Sequence, residues 1–295
     1  MMQRSELEER MQRALRRFGG SRTKRLLRHP YRSLAPLVDR RLGRSRPATC
    51  PTFYGAEFHG VLPEAVTTQV WRTTVYSPDV CRALIHMLKP GDTFMDIGAH
   101  FGFFSLFASH LVGETGRTVS VEAMPGTFAV LKRNMQTAEA DGRATLFNVA
   151  AADTETTLVF KDFGIVASSL NTAFENRGAS SLIRTPKDVT VTARTGDALL
   201  REAGARPDLI KIDAESSELL VLKGLEETIR EHRPALVLEL GDDPSAADPQ
   251  TPRIWERLTG LGYRPVHFEG PDPSDIGLDR ALRYANVLFL PDRKD

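Results

Sequence analysis

Phe94-Met95-Asp96-Ile97-Gly98-Ala99-His100-Phe101-Gly102 decides the reading of this 295-residue chain. Ahead of it, Pro90-Gly91-Asp92 reads as a turn and Thr93 to Ile97 as a short buried strand. Phe103 to Leu111 follows as an apolar helix. Between strand and helix, Gly98 and Gly102 let the backbone come close to a ligand where the helix opens. The arrangement is similar to a dinucleotide-binding turn but lacks its frame of three glycines. It also places an acid, Asp96, two residues before the first glycine. A loop that cradles phosphate would not choose a carboxylate there; a loop that receives a cation would.

The alternation continues outward. Thr118 to Glu122 reads as a strand and Thr127 to Ala138 as a helix, with Thr145 to Ala150 as a third strand. Leu209 to Asp213 is a fourth, followed by a helix from Ser217 to about Gly224. Ala235 to Leu240 is a fifth; after a helix from Arg253 to Leu261, Tyr263 to Phe268 and Asn286 to Leu290 complete seven strands. This order predicts an α/β fold with a mostly parallel central sheet and helices on both faces. Thr154 to Thr195 breaks the rhythm. It reads as a β-type insertion (Thr157 to Phe160, Val189 to Ala193) around a polar loop, over the active-site edge of the sheet.

The strand ends carry the chemistry. Glu122 closes the second strand, 26 residues beyond Asp96. A carboxylate at this place accepts the ribose hydroxyls of an adenosine, which serves NAD and S-adenosyl-L-methionine (SAM) alike. SAM carries a sulfonium and an ammonium and no phosphate, so the Asp96 loop favours it. The fourth strand exits through Lys211-Ile212-Asp213-Ala214-Glu215-Ser216-Ser217-Glu218, where open α/β sheets hold their ligands. Asp213 reads as a site acid or as the cap of the next helix, Glu218 as a site acid or a surface residue, and Lys211 as the partner of a neighbouring acid.

Composition sets the boundaries. With 41% hydrophobic and 26% charged residues, wholesale disorder is excluded. Cys50 and Cys81 cannot build a disulfide framework or a zinc knuckle, and no dense ligand cluster suggests a metal; a reducing, cytoplasmic compartment is expected. No apolar stretch is long enough to span a bilayer, and with charges from Arg4 onward no secretory signal is expected. Residues 1–46 hold fourteen Arg or Lys against four Asp or Glu, a net +10 in a chain whose total is +1. A basic head over residues 1–50 and an acidic body over 51–295 therefore read as different physical units. In the head, Leu7, Met11, Leu15 and Phe18 recur at helical spacing. This extension either packs on the body or lies as a surface helix drawn to anionic lipid, such as the inner membrane surface, or to an acidic partner. Phe18 and Tyr31 are its only aromatics, a poor platform for nucleic acid.

Taken in order, these stretches resemble the FkbM-type SAM-dependent methyltransferases. The resemblance runs over about residues 55 to 290. It rests on Asp96 to Gly102, Val121-Glu122-Ala123-Met124-Pro125, Asn148 to Asp153, Lys211 to Glu218, Val221-Leu222-Lys223-Gly224 and Pro234 to Glu239. It implies a class I methyltransferase fold, Rossmann-like with a seven-stranded sheet, preceded by the helical extension. It implies SAM as cofactor, held by Asp96, Gly98, Ala99, His100, Gly102, Glu122, Ala123, Ala151 and Asp153. The implied reaction is methyl transfer to a hydroxyl of a sugar, glycoconjugate or natural-product scaffold. Asp213 is the first candidate base, with His100 and Glu239 next. Glu215, Ser216, Ser169 and Asn171 are the candidate acceptor contacts. Three residues depart from the family pattern: His100 stands where Asn is usual, Ala123 replaces a Pro, and Ser216 replaces a Gly. If that Gly has positive φ, Ser there costs about 1 kcal/mol. Two alternatives are a SAM-binding adaptor impaired in catalysis and an NAD-type oxidoreductase; the latter lacks a Tyr-x-x-x-Lys pair.

Overall fold

In the computed structural model, which describes residues 3–18, 26–170 (169 and 170 by backbone only), 186–214, 216–241, 249–283 and 285–292, two helices come first. They are α1 (Arg4–Phe18) and α2 (Pro30–Arg41). A hairpin of β1 (Arg46–Pro51) and β2 (Glu57–Leu62) follows, then α3 (Ala65–Thr73) and α4 (Pro78–Met87). Glu64 starts α3, its carboxylate accepting from the N–H groups of Val66 and Thr67, which have no partner within the helix.

The sheet-and-helix body comprises β3 (Thr93–Ile97), α5 (Phe103–Val112), β4 (Arg117–Val121), α6 (Pro125–Ala140) and β5 (Ala144–Phe147). Next come β6 (Ala150–Ala152), β7 (Thr156–Asp162), a 3₁₀ turn (Ile165–Leu170), β8 (Lys187–Thr195) and α7 (Gly196–Ala203). The chain continues through β9 (Leu209–Ile212), α8 (Glu218–Lys223), α9 (Glu226–His232), β10 (Ala235–Leu240) and α10 (Thr251–Gly260). It ends with β11 (Tyr263–His267), β12 (Ser274–Asp275), α11 (Leu278–Ala281) and β13 (Ala285–Pro291).

The main sheet has the order β12-β11-β13-β10-β9-β3-β4-β5. β5, β4, β3, β9 and β10 run parallel, and β13 is antiparallel to β10 and β11. All seven expected strands are present; the eighth is the two-residue edge strand β12. The third strand ends at Phe147 instead of Ala150. Asn148 donates from Nδ2 to the carbonyls of Glu122 and Ala123, tying the chain to the end of β4. Ala150 to Ala152 then leaves the main sheet to pair with β8, and β7 completes the small sheet on β8's other side. Within the insertion, β7 and β8 pair antiparallel from Thr156↔Ala193 to Asp162↔Lys187.

Strand order reverses between β3 and β9, the switch point at which open α/β sheets bind ligands. Met95, Ile97, Ile210 and Ile212 pack on one face of the sheet, Phe94 and Leu209 on the other. By the same alternation Asp96 and Lys211 share the second face. They stand side by side in register, with Ser120 beside Asp96 on β4.

The contrast of charge between head and body does not separate them physically. Leu7 and Met11 on α1 are 1% and 0% exposed and belong to the same core as α4 and α5. Arg4 donates to the carbonyl of Leu88, and Glu8 pairs with Arg82. The boundary read after residue 50 falls inside β1. Among the described residues no helix is long and apolar enough to cross a membrane.

Candidate active site at the carboxyl edge of the sheet

A chain of buried polar groups crosses the sheet beneath the glycine loop. Asp96, fully buried, accepts from Ser105 Oγ on α5 at 2.6 Å, and Ser105 accepts from Ser120 Oγ at 2.9 Å. Lys211 Nζ lies 3.4 Å from Asp96 Oδ1 and 3.2 Å from Asp213 Oδ2. Burial alone would lower the Lys211 ammonium; Asp213 and Asp96 outweigh it and hold it up at about 12. Burial alone would raise Asp213; Lys211 and a hydrogen bond with Glu239 hold it below the usual carboxylate range. Glu239, pushed up to about 9 by burial and by ionised Asp213, keeps the proton the two carboxyls share. The hydroxyl of Tyr76 is raised by burial first and by these two carboxyls next, which places it in their field.

The second cluster lies across the loop. Glu122 is 8% exposed and accepts from the backbone N–H of His100 at 2.9 Å and of Met124 at 2.9 Å. Burial outweighs those bonds and raises it to about 7. His100 has φ 53, a left-handed conformation that Asn tolerates better than most residues. Its Nε2 is 2.7 Å from Ser168 Oγ and 4.0 Å from Glu64 Oε1, while its Nδ1 is buried with no hydrogen-bond partner. Burial lowers the imidazole to about 4, so it is neutral at physiological pH.

Between the clusters opens a cavity of about 970 Å³, its mouth included. Gly98, Ala99, His100, Glu122, Ala123, Ala151 and Asp213 line it, so seven of the residues singled out from sequence meet at one place. Others stand behind the wall. Asp96 is ion-paired to Lys211, and Glu239 is hydrogen-bonded to Asp213. Gly102 starts α5 at φ 81 and abuts Leu131. Asp153 sits in the bend after β6, outside the lining. Ser216 takes φ 76, the conformation for which the family's Gly is suited; its carbonyl accepts from Gln250 Nε2. Ser169 lies in the 3₁₀ turn Ile165–Leu170, with its side chain outside the description. Asn171 and Glu215 lie outside the described residues.

The tight closure of the site explains one glycine. A Cβ on Gly98 would come within 1.8 Å of the Asp213 carbonyl oxygen, so the loops after β3 and β9 touch through their backbones.

Sequence reasoning missed Val66 and Tyr76 on the cavity wall, and the buried Glu64 that stands behind His100. An acid directly ahead of the helical run Ala65–Thr73 is a capping signal, and it marks Glu64. Nothing in the pattern marks Tyr76. Ser168 directly precedes Ser169, one of the candidate acceptor contacts, in the same 3₁₀ turn.

Residues 96–265 match the family described as the Methyltransferase FkbM domain. No curated protein matches the chain significantly. Among solved structures it is similar to a methyltransferase FkbM from Methylobacillus flagellatus KT, at 14% identity and TM-score 0.44, over 95% of this chain and 58% of that one. The chain thus spans less than two thirds of that protein's length. It is similar to a SAM-dependent O-methyltransferase from Thermotoga maritima, at 12% identity and TM-score 0.40, over 88% of this chain and 83% of that one. It is also similar to Aeropyrum pernix fibrillarin with natively bound SAM, at 13% identity and TM-score 0.40, over 71% of this chain and 72% of that one.

Proposed function

We propose, from the premise that this chain belongs to the FkbM methyltransferase family, that it is a SAM-dependent O-methyltransferase acting on a hydroxyl of a sugar, glycoconjugate or natural-product scaffold. The observation that carries the reading is Asp213: a carboxylate held ionised at the cavity wall by Lys211, with the neighbouring proton on Glu239.

The cavity fits the methyl donor. Among the described residues its wall holds two carboxyls, Glu122 and Asp213, and one ammonium, Lys211, which is offset by Asp96 and Asp213. Such a lining suits a ligand that is cationic and lacks phosphate. Glu122 would take the ribose hydroxyls; Ala123, Met124, Val149 and Ala151 would cover the adenine; Gly98 and Ala99 would admit the amino-acid part along their backbone. Bound there, SAM supplies an electrophilic methyl group on sulfur.

An alcohol is a weak nucleophile, so the protein's own contribution is a base and an orientation. A positioned base contributes about 10²–10⁴ in rate. Asp213 suits that task, because it is ionised and its position is fixed by Lys211. His100 suits it less: its Nε2 is engaged by Ser168 at 2.7 Å, which makes it a positioning group on the cavity wall. Glu239 holds a proton toward Asp213 and so keeps two adjacent carboxyls from repelling.

The test is turnover with methyl-labelled SAM against a panel of saccharides and polyols, reading the methylated position by NMR. Transfer to oxygen supports the reading. Methylation confined to nitrogen or carbon acceptors would overturn the O-methyl assignment, and SAM binding without turnover on any acceptor would favour the adaptor.

A further inference from the structure

Helix α2 is mounted with its hydrocarbon facing outward. The side turned to the body is polar or small: Arg32 donates to the carbonyl of Trp71 at 3.1 Å, Arg72 reaches the carbonyl of Ser33, and Asp39 is ion-paired to Arg46 at 2.8 Å. Pro36 and Asp39 are its buried residues. The opposite side carries Leu34 (44% exposed), Leu37 (54%) and Val38 (50%) at helical spacing, joined by Tyr31 (66%), whose ring also meets Trp71 edge-on. Leu27 before the helix and Leu42 after it, 78% and 55% exposed, extend the stripe at both ends. A surface helix normally turns such a stripe to the core. Here hydrogen bonds and an ion pair hold it the other way.

The charges around the stripe are of one sign. Residues 26–46 contain six arginines, and the single acid, Asp39, is already paired. Arg28, Arg40, Arg41 and Arg44 are exposed, as are Arg16 and Arg17 at the end of α1. An outward apolar stripe flanked by exposed arginines is the arrangement of a helix that lies in a membrane interface, with its hydrocarbon in the acyl boundary and its cations at anionic headgroups. A second copy packed face to face on this helix is a poorer occupant, because it would bring a like-charged surface against this one.

We propose that α2 and its flanking arginines dock the protein on an anionic lipid surface. Docking is a separate property from methyl transfer, and its test does not depend on which acceptor is used.

The experiment is flotation of the full chain with zwitterionic vesicles, and with the same vesicles containing phosphatidylglycerol. The expected result is association with the anionic vesicles that fades at about 1 M salt, where screening shortens to about 3 Å. Leu34→Glu with Leu37→Glu removes exposed hydrocarbon and should weaken partitioning roughly tenfold or more. Arg40→Gln with Arg41→Gln leaves the hydrocarbon and should weaken it to a similar extent on anionic vesicles only. SAM affinity by calorimetry, measured on each variant, should be unchanged and reports that the fold is intact. No association with either vesicle, or equal association of all three proteins, overturns the proposal. A dimer in light scattering that Leu34→Glu with Leu37→Glu dissociates overturns it too, since the stripe would then serve a second copy.

Discussion

The carboxyl edge of the sheet and helix α2 break the same folding rule in opposite directions. At the sheet edge charge is buried: Asp96 is 0% exposed, Lys211 4% and Glu122 8%. On α2 hydrocarbon is exposed, with Leu37 and Val38 each about half in solvent. Neither arrangement is favoured by folding alone. Burying ions costs solvation and is tolerated when partners stand ready. The sheet edge has them within the molecule: Asp96 with Ser105 and Lys211, Asp213 with Lys211 and Glu239, Glu122 with two backbone N–H groups. For α2 the compensation would lie outside, on the lipid surface proposed above. One departure from economy suits a reaction site and the other a docking face, and what separates them is where each would find its partners.

The strongest way to break that contrast is to remove the charge at the reaction site. Asp213→Asn should lower kcat by about 10²–10⁴ while the SAM dissociation constant stays near native. A native rate would move the base elsewhere, and lost SAM binding would assign Asp213 to the cofactor; adding metal or chelator should change neither result. Glu239 sharpens the same point. Glu239→Gln keeps a donor toward Asp213 and should retain most of the rate. In the native protein, Glu239 has a folded pKa above its unfolded one. Its contribution to stability is therefore full below the ordinary carboxylate range and is lost as pH rises through about 9. Thermal unfolding of Glu239→Gln should show a weaker loss across that window.

A second test divides the basic head itself. Met11 on α1 is 0% exposed, so Met11→Ala should destabilise by about 2–5 kcal/mol. Leu37→Ser on α2 removes exposed carbon and should shift stability by less than about 0.5 kcal/mol. Denaturant melts of both measure how much of the head belongs to the core. Equal losses would show α2 to be structural and would remove the contrast.

These two helices also show what could be read from sequence. The apolar spacing of Leu7, Met11, Leu15 and Phe18 identifies α1, and glycines and strand-end acids identify β3, β4 and β9 with their loops. Each signal is local: a period, a turn residue, a charge beside a glycine. Which way an amphipathic helix faces is not local, and α2 faces outward because Trp71 and Arg46 hold its polar side. Lys211 was legible as a partner for some acid; that it joins two, Asp96 across the ladder and Asp213 beyond it, depends on register. Val66 on α3 and Tyr76 in the bend after it reach the cavity from a stretch where only the cap at Glu64 is marked in the sequence. The shortening of the third strand depends on Asn148 bonding two carbonyls distant in sequence.

A third, smaller effect concerns Glu122. Burial raises it to about 7, and ribose hydroxyls donate to its ionised form. Below that pH the free protein binds a proton that SAM must displace, so affinity should weaken by up to about tenfold for each unit of falling pH. Calorimetry in buffers of different ionisation heat should detect the released proton. Glu122→Gln should bind more weakly throughout and flatten the dependence. A native profile that is already flat would leave Glu122 ionised in the free protein and locate the compensation for its burial fully in the N–H groups of His100 and Met124.

The smallest effect isolates backbone strain from chemistry at the same edge. Ser216 holds φ 76, where a side chain costs about 1 kcal/mol relative to glycine. Its backbone is pinned on both sides, the N–H donating to Glu218 Oε1 at 3.2 Å and the carbonyl accepting from Gln250 at 2.6 Å, so the strain cannot relax by rotation. Ser216→Gly should therefore raise the melting temperature by roughly 2 °C, after part of the gain is offset by the extra freedom of glycine in the unfolded chain. Ser216→Ala keeps the strain and deletes the hydroxyl, and should gain none of the stability that the glycine variant gains. The two variants together separate the roles of this residue. If both raise the acceptor KM alike, the hydroxyl touches the acceptor and the strain is the cost of keeping it there. If neither changes KM and only the glycine variant gains stability, Ser216 is a strained substitution without a part in recognition, and the acceptor contacts of the sheet edge reduce to the groups around Asp213.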